Sequence, residues 1–557
     1  MTKKPLYLAF LWHMHQPYYK DNFSGRCILP WVRLHGIKDY YDMAAILEEY
    51  PQIHQTFNLT PSLMEQIEGY LEGKTEDDHL CLSRKPASKL NKDDKRFILD
   101  SFFMAHWDNM VRVHPRYREL LERRGEDAGG REKALKEFSV QDFRDLQVWF
   151  NLAWFDPFFK TRDETIKALI EKDRNFTEAD KRAVLEKQME VMARILPIYQ
   201  KLQEAGQIEV SVTPYYHSIL PLLCDTDITL RAMPEAPLPR NRFVHPEDAE
   251  IQVEAAISYY KKHFNRPPRG MWPAEGSVSE AIIPMMAKRG INWIATDEAI
   301  LANTLKNSPD FSEFSFHVKF QPYRIRIGEY QIDCIFRDTT LSNLLSFEYW
   351  QWDTEEAVAD LMGRLHVIRK IVNNFPGDHL VAIIMDGENA WEYYENDGWD
   401  FLGLLYQKLS ADLWIKTVTA SEYLKDHPPA ETLPRLFPGS WINNNFKIWI
   451  GHEEDNTAWN YLYAARQALV KFEQEAKGQA DQKAREQAWQ EIYIAEGSDW
   501  CWWYGEEHGS YNDREFDLLF RTHLMNVYRL IGQEIPTYLS QPIIKVTHHG
   551  REFSTMR

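Results

Sequence analysis

Two uninterrupted apolar runs, residues 7–12 (Tyr-Leu-Ala-Phe-Leu-Trp) and 380–385 (Leu-Val-Ala-Ile-Ile-Met), set the first constraint on the fold. A strand with one wet face alternates apolar and polar residues, so a strand that is apolar throughout has both faces covered, as in a parallel sheet flanked by helices. Each run empties into polar residues: His13-Met14-His15-Gln16-Pro17 after the first, Asp386-Gly387-Glu388-Asn389 after the second. Strand-like segments at 53–57, 208–212, 271–272, 292–295 and 331–336 repeat the pattern, several of them running into polar or charged groups such as Thr213 to His217, Glu275, Asp297 and Arg337-Asp338. Helical periodicity lies between them. Residues 40–47 carry it, Thr60 with Pro61 reads as an N-cap followed by the first helical position, and 354–374 puts Val358, Leu361, Leu365, Ile368 and Val372 on one stripe. About seven strands separated by helices predict an α/β fold with a (β/α)7 barrel-like catalytic domain, whose functional groups gather at the C-terminal strand ends.

Two stretches depart from this alternation. From about residue 84 to 206 the pattern is helical and charged without a convincing strand, which predicts a helical insertion. Beyond about 400 the strand signal fades and long helices are expected at 457–495 and 513–531, the second with Phe516, Leu519, Phe520, His523, Leu524, Val527 and Leu530 at helical spacing. The expected division is a barrel domain over 1–400 and a C-terminal helical domain over 401–557 that completes the substrate cleft.

Composition narrows the partners. A formal net charge of -18 argues against nucleic acid and against an anionic membrane surface, and favours a neutral substrate. The five cysteines are scattered, odd in number and without a Cys-x-x-Cys pair, which fits reduced thiols in a cytoplasm. The first apolar run is too short to span a membrane and ends in His13, not at a small-residue cleavage site, so it is read as a strand and no export signal is expected.

The chemistry starts from Glu275. In Met271-Trp272-Pro273-Ala274-Glu275-Gly276-Ser277, Pro273 removes a backbone donor and Gly276 removes a side chain, so a short strand breaks into a turn with Glu275 at its rim. Asp386 stands at a second strand end. Two carboxylates held roughly 5 Å apart suffice to cut a glycosidic bond with retention, one as nucleophile and one as acid. His13 and His15 allow a different chemistry, because His-x-His at a strand end ligates zinc when Asp338, His217 or Asp386 joins it. Hydrogen bonding to sugar hydroxyls is the preferred reading, and no metal or other cofactor is expected. Trp272, Trp391, Trp441, Trp500, Trp502 and Trp503 fall in polar, loop-like clusters and are read as lining a cleft, since flat rings pack on the apolar faces of sugars. Trp107, Trp149 and Trp489 fall in helical stripes and are read as core.

Residues 13–19, 209–223, 270–279, 385–394 and 495–505 resemble, in order, the five motif regions of glycoside hydrolase family 57. The resemblance implies a seven-stranded βα-barrel with a helical C-terminal bundle, acting on α-glucans with retention and without a metal. By position it makes Glu275 the nucleophile and Asp386 the general acid and base, places His13, His15, Glu209 and Trp272 at the donor subsite, and adds Arg337, Asp338, Trp391, Asp499 and Trp503 to the substrate-binding set. Trp441 and Trp500 join that set from the aromatic reading. Met-Trp-Pro-Ala-Glu-Gly-Ser and Asp-Gly-Glu-Asn-Ala-Trp-Glu-Tyr-Tyr look most like the amylopullulanase and α-amylase-like subgroup, which cuts α-1,4 and in some members α-1,6 links. Branching enzymes and 4-α-glucanotransferases share the apparatus and differ in the acceptor. The rival readings are a zinc-dependent hydrolase built on the histidine pair and a glucan-binding protein without turnover.

Overall fold

The computed structural model describes residues 4–306, 315–475, 479–509 and 512–545. Seven parallel strands run round one axis: β1 (Leu6–Met14), β2 (Gln55–Leu59), β3 (Ile208–Ser211), β4 (Gly270–Met271), β5 (Trp293–Asp297), β6 (Tyr330–Arg337) and β7 (Leu380–Asp386). They form two sheets, one in the order β7-β1-β2-β3 and one containing β4-β5-β6. The sheets meet at two seams. At one, Val212 bridges Met271, with Val212 N–H donating to Gly270 (3.2 Å) and Trp272 N–H to Val212 (2.9 Å). At the other, Asp338 N–H donates to the Ala382 carbonyl (2.8 Å). The ring is thus barrel-like without being one continuous ladder.

Register explains where polarity begins. Ala9 pairs with Ala382, Leu11 with Ile384 and Ala295 with Ile335, and these side chains form one buried apolar cluster with Trp293 and Trp272. Two residues further along each strand the same inward positions are polar: His13 opposite Asp386, Asn58 between His13 and Ser211, and Asp297 opposite Arg337. A period of two keeps these side chains on the inner face, so the polar layer stacks on the apolar one at the C-terminal mouth.

The expected strands appear with ends shifted by up to about two residues, as hydrogen-bonded boundaries commonly are. The helix Thr354–Val372 buries the five stripe residues and is capped by the Asp353 carboxylate, which accepts from the N–H groups of Glu355 and Glu356. Thr60 occupies the N-cap with Pro61 first in the helix, but its hydroxyl donates to the Met14 carbonyl (3.0 Å) instead of capping. Residues 84–206 form helices joined by turns, without a strand, ending in the long helix Glu178–Glu204. Past 400 the helix expected at 457–495 is two helices, Glu453–Glu475 and Gln479–Ala495, packed with Asp513–Leu530. Two strands there were not expected: Ile415–Thr417 pairs with β1, and Glu431–Leu433 pairs with Tyr323–Ile327. Three residues are too few to display a period.

Candidate active site

Glu275 follows the two-residue strand β4 in a single 3-10 turn, Ala274–Gly276, and its own φ is +57°. Of the nine non-glycine residues with positive φ among the described residues, seven are Asn or Asp, and the other two are Glu275 and His217. Such backbone costs roughly 1–3 kcal/mol per residue and persists only where surrounding contacts over-determine it. They do so here. Trp441 grips Glu275 twice, its backbone N–H donating to the Glu275 carbonyl (3.0 Å) and its indole Nε1 to Oε2 (2.7 Å). His217 donates its N–H to Pro214 (2.9 Å) and accepts from the Ser498 N–H (3.1 Å). A Cβ on Gly276 would stand 2.8 Å from the Trp272 ring, so only glycine lets the turn lie this close.

Asp386 ends β7 beside His13, and Asn389 Nδ2 donates to its Oδ2 (2.8 Å). Burial raises its pKa, opposed by the Asn389 bond and by the nearby His15 and Arg337. Burial also pushes the Glu275 carboxyl up to about 8; repulsion from Asp386 adds to this and the Trp441 bond opposes it. Two half-buried carboxyls in electrostatic reach of one another do not both ionise readily, which favours a protonated Glu275 in the free site. The Glu275 side chain keeps 15% exposure, enough to face a ligand.

Beside the carboxylates stand three histidines whose tautomers follow from their partners, His13 in register with Asp386 and His217 3.9 Å from Glu275. Asn58 uses its Nδ2 on Ser211 (3.1 Å), leaving Oδ1 to accept from His13 Nδ1–H (2.7 Å). The bare His13 Nε2 therefore accepts from His217 Nε2–H (2.9 Å), and the bare His217 Nδ1 accepts from the Ser498 hydroxyl (2.8 Å). Burial lowers both ring pKa values, that of His13 to about 3, which keeps the chain of donors neutral. His15 stacks on His217 with centroids 3.8 Å apart and donates through Nε2 to Asp499 (2.6 Å); its Nδ1 is buried and has no protein partner.

Ligand atoms of His15, His217 and Asp499 lie within 4.8 Å of one another, the spacing of a metal trio. The residues do not fit one. The two rings are within 18° of parallel, so their in-plane lone pairs do not converge on a point, and both nitrogens of His217 are engaged.

The remaining sequence-based site residues divide. Arg337 belongs to the mouth: it pairs with Asp297 (3.2 Å), donates to the Ile384 carbonyl (2.7 Å) and lies 5.2 Å from the Trp441 ring. Trp272 is wholly buried and packs edge to face on Trp441 at 5.1 Å, so it backs the site without presenting a face. Glu209 is a correction: it sits one layer down, where its carboxylate accepts from Trp293 Nε1 (3.0 Å), Ser421 N–H (2.8 Å) and Ser421 Oγ (2.6 Å). Asp338 is another, capping the helix Thr339–Asn343 and pairing with Lys319 (2.9 Å). Trp391, Trp500 and Trp503 are core, not cleft. Trp391 donates to the Gly387 carbonyl (2.8 Å), Trp500 to Ile494 (2.9 Å), and Trp503 stacks on Phe516 at 5.1 Å. Their loop-like setting in sequence hid the partners that bury them.

His217, weighed above only as a third metal ligand, is the centre of the cluster, joined by Asn58 and Ser498. The polar pile-up Thr213 to His217 at the end of β3 was the available signal; for Asn58 and Ser498 there was none. The loop after Asp386 is held from three sides by the three single-turn π-helices among the described residues: Gly36–Tyr40, Trp107–Val111 and Leu344–Glu348. Tyr40 donates to Glu388 (3.1 Å), Asn109 to the carbonyls of Glu392 (2.9 Å) and Tyr393 (3.0 Å), and Tyr394 to the Leu345 carbonyl (2.6 Å). Such bulges recur at functional sites because an extra residue re-aims the turn.

Comparison with known proteins agrees with this architecture. A branching enzyme from Pyrococcus horikoshii superposes with a TM-score of 0.59 at 17% identity, covering 98% of each chain. One from Thermococcus kodakaraensis gives 0.59 at 16%, again covering 98% of each. An α-amylase from Thermotoga maritima gives 0.56 at 14%, covering 95% of this chain and 93% of its own. At such identities the likeness speaks for the fold. The sequence itself matches the description Glycosyl hydrolase family 57 over residues 9–435, three quarters of the chain, and the protein belongs to that family.

Proposed function

We propose that the protein is a retaining hydrolase of α-glucans, of the amylopullulanase and α-amylase-like kind, acting on the α-1,4 links of starch, glycogen or maltooligosaccharides, with pullulan as the test of α-1,6 links. The observation that carries the reading is the pair Glu275 and Asp386, half-buried at the strand ends of one mouth and close enough for Asp386 to raise the Glu275 pKa, with His13 beside Asp386 and His217 beside Glu275. In the first step Asp386 gives its proton to the glycosidic oxygen as that bond breaks, and Glu275 attacks the anomeric carbon to form a glycosyl ester. In the second, Asp386 takes a proton from water, which opens the ester and restores both acids. Glucan binding first has to move the resting proton. A glycosidic oxygen beside Asp386 accepts a hydrogen bond from its protonated form, and an electron-poor anomeric carbon beside Glu275 favours the ionised form that Trp441 already supports.

His13, His15 and Asp499 are assigned to sugar hydroxyls, Trp441 and Arg337 to the wall of the subsite. The division into a barrel over 1–400 and a helical domain over 401–557 that completes the cleft is part of the proposal, supported by Trp441, Ser498 and Asp499 reaching the site from beyond 400. Among the described residues no helix is long and apolar enough to cross a membrane. The five cysteines are all free thiols, which supports placing the enzyme in the cytoplasm.

Maltoheptaose and pullulan, incubated separately with the protein and sized by chromatography, test the reading. Shorter products alone are expected; longer ones would replace water by a sugar acceptor and overturn the hydrolase assignment. Glu275→Gln should bind maltoheptaose while turning over less than about a hundredth as fast, and a more active variant would remove Glu275 as nucleophile.

A further inference from the structure

The segment that follows β6 carries rings the catalytic machinery does not use. Phe347 is 64% exposed and Trp352 44% exposed, both among the most open large apolar side chains of the described residues. They flank half-buried Trp350, which lies 5.5 Å from Tyr393, and Tyr393 in turn meets the edge of His106 at 5.2 Å. Trp352 is braced at a steep angle by buried Tyr349 at 5.4 Å, leaving it free to present a face outward. Exposed aromatic clusters of this kind mark binding surfaces more often than chance.

The rings lie on the two segments that follow the C-terminal ends of β6 and β7, the ends that carry Arg337 and Asp386. The first half of the cluster leaves β6 ten residues beyond Arg337 and its second half leaves β7 seven residues beyond Asp386, and the Trp350–Tyr393 contact joins them. The polar residues interleaved with the rings are Glu348, Gln351 and Asp353, and residues 343–353 contain no cation. An acidic face on a chain of net charge -18 repels anionic partners and further copies of itself. Flat rings separated by carboxylate and amide groups suit a neutral chain with apolar sugar faces and hydroxyl edges.

We propose that Phe347, Trp350, Trp352 and Tyr393 form an accessory platform for a second stretch of α-glucan, outside the catalytic subsites. The proposal rests on the α-glucan reading of the mouth and adds a site that acts on long chains only. A glucan lying across it raises the local concentration of substrate at the carboxylates without touching the reacting bond.

Phe347→Ala, Trp352→Ala and the double variant test it, since both side chains are exposed and their loss leaves the core intact. Mobility of the unmodified protein and of the variants is compared in native gels containing glycogen, together with KM on amylose and kcat on maltoheptaose. The expected result is at least a threefold loss of retardation and a severalfold higher KM on amylose, with kcat on maltoheptaose within twofold of the unmodified protein. Unchanged retardation overturns the platform, as does unchanged retardation accompanied by a shift in size-exclusion volume, which would make the face a protein contact. Absence of turnover in the unmodified protein would instead strike the hydrolase reading, while gel retardation would still decide the platform.

Discussion

Replacing Glu275 by Gln measures the resting proton directly, through stability. In the unfolded chain this carboxyl ionises near its ordinary value of 4.5, whereas in the folded protein it holds its proton to about 8. Between those values the native state binds a proton that the unfolded chain has released, so the derivative of unfolding free energy with pH is negative. The stabilising contribution is complete below 4.5 and is lost as pH rises through 8. At about 1.4 kcal/mol per pH unit the full gap has a ceiling of about 5 kcal/mol. The 15% exposure of the side chain lets water share the cost, and we expect roughly half of that ceiling. Gln keeps the shape and still accepts the Trp441 bond but has nothing to titrate. Thermal unfolding of both proteins at about pH 5 and about pH 8.5 should therefore give midpoints that are close at the lower pH and differ by several degrees in favour of the variant at the higher one. Because each protein is compared with itself, other buried acids such as Glu388 cancel. Parallel curves across that window would show that Glu275 is ionised at rest and that the proton lies elsewhere.

Trp441→Phe removes the indole bond that holds the Glu275 pKa down, so the acidic limb of kcat/KM should move to higher pH and kcat should fall about tenfold or more; an unmoved limb in a pH-rate profile would detach Trp441 from the nucleophile. Asp338→Ala should cost about 0.5–2 kcal/mol in thermal or urea unfolding through loss of a helix cap and leave KM for maltoheptaose unchanged, whereas a raised KM would return Asp338 to the substrate.

The strands were legible because burial on both faces makes a run of Val, Ile, Leu and Ala unmistakable, as in β7, and because each run stops where its side chains meet the open mouth. Glu275 and Asp386 were legible for the same reason: each is an acid at the place where such a run ends. What the sequence concealed depended on pairing between distant segments. Glu209 and Asp386 look alike as acids in or after strands, but the register of β3 puts Glu209 one layer lower, level with Leu11, where Ser421 and Trp293 occupy it. Asp338 reads as a site residue until the helix it caps is seen. The rings of residues 500–504 sit in a polar, loop-like stretch and were read as cleft, yet all are buried except Trp502, which stays half-buried against His508.

The two acids stand on supports of unequal stiffness. β7 is tied to β1 through seven successive residue pairs, so Asp386 moves only if His13 moves with it. β4 contributes two paired residues and a single bridge across its seam, and the chain beyond it is held by Trp441 on Glu275, Thr296 on the Gly276 carbonyl and an isolated bridge from Val278 to Gly439. If the proposed roles hold, movement of Glu275 relative to a bound sugar is expected on this less-tied side, with Asp386 as the fixed reference. Changes near residue 441 are the place to tune that travel, and changes inside β7 are the place to destroy it.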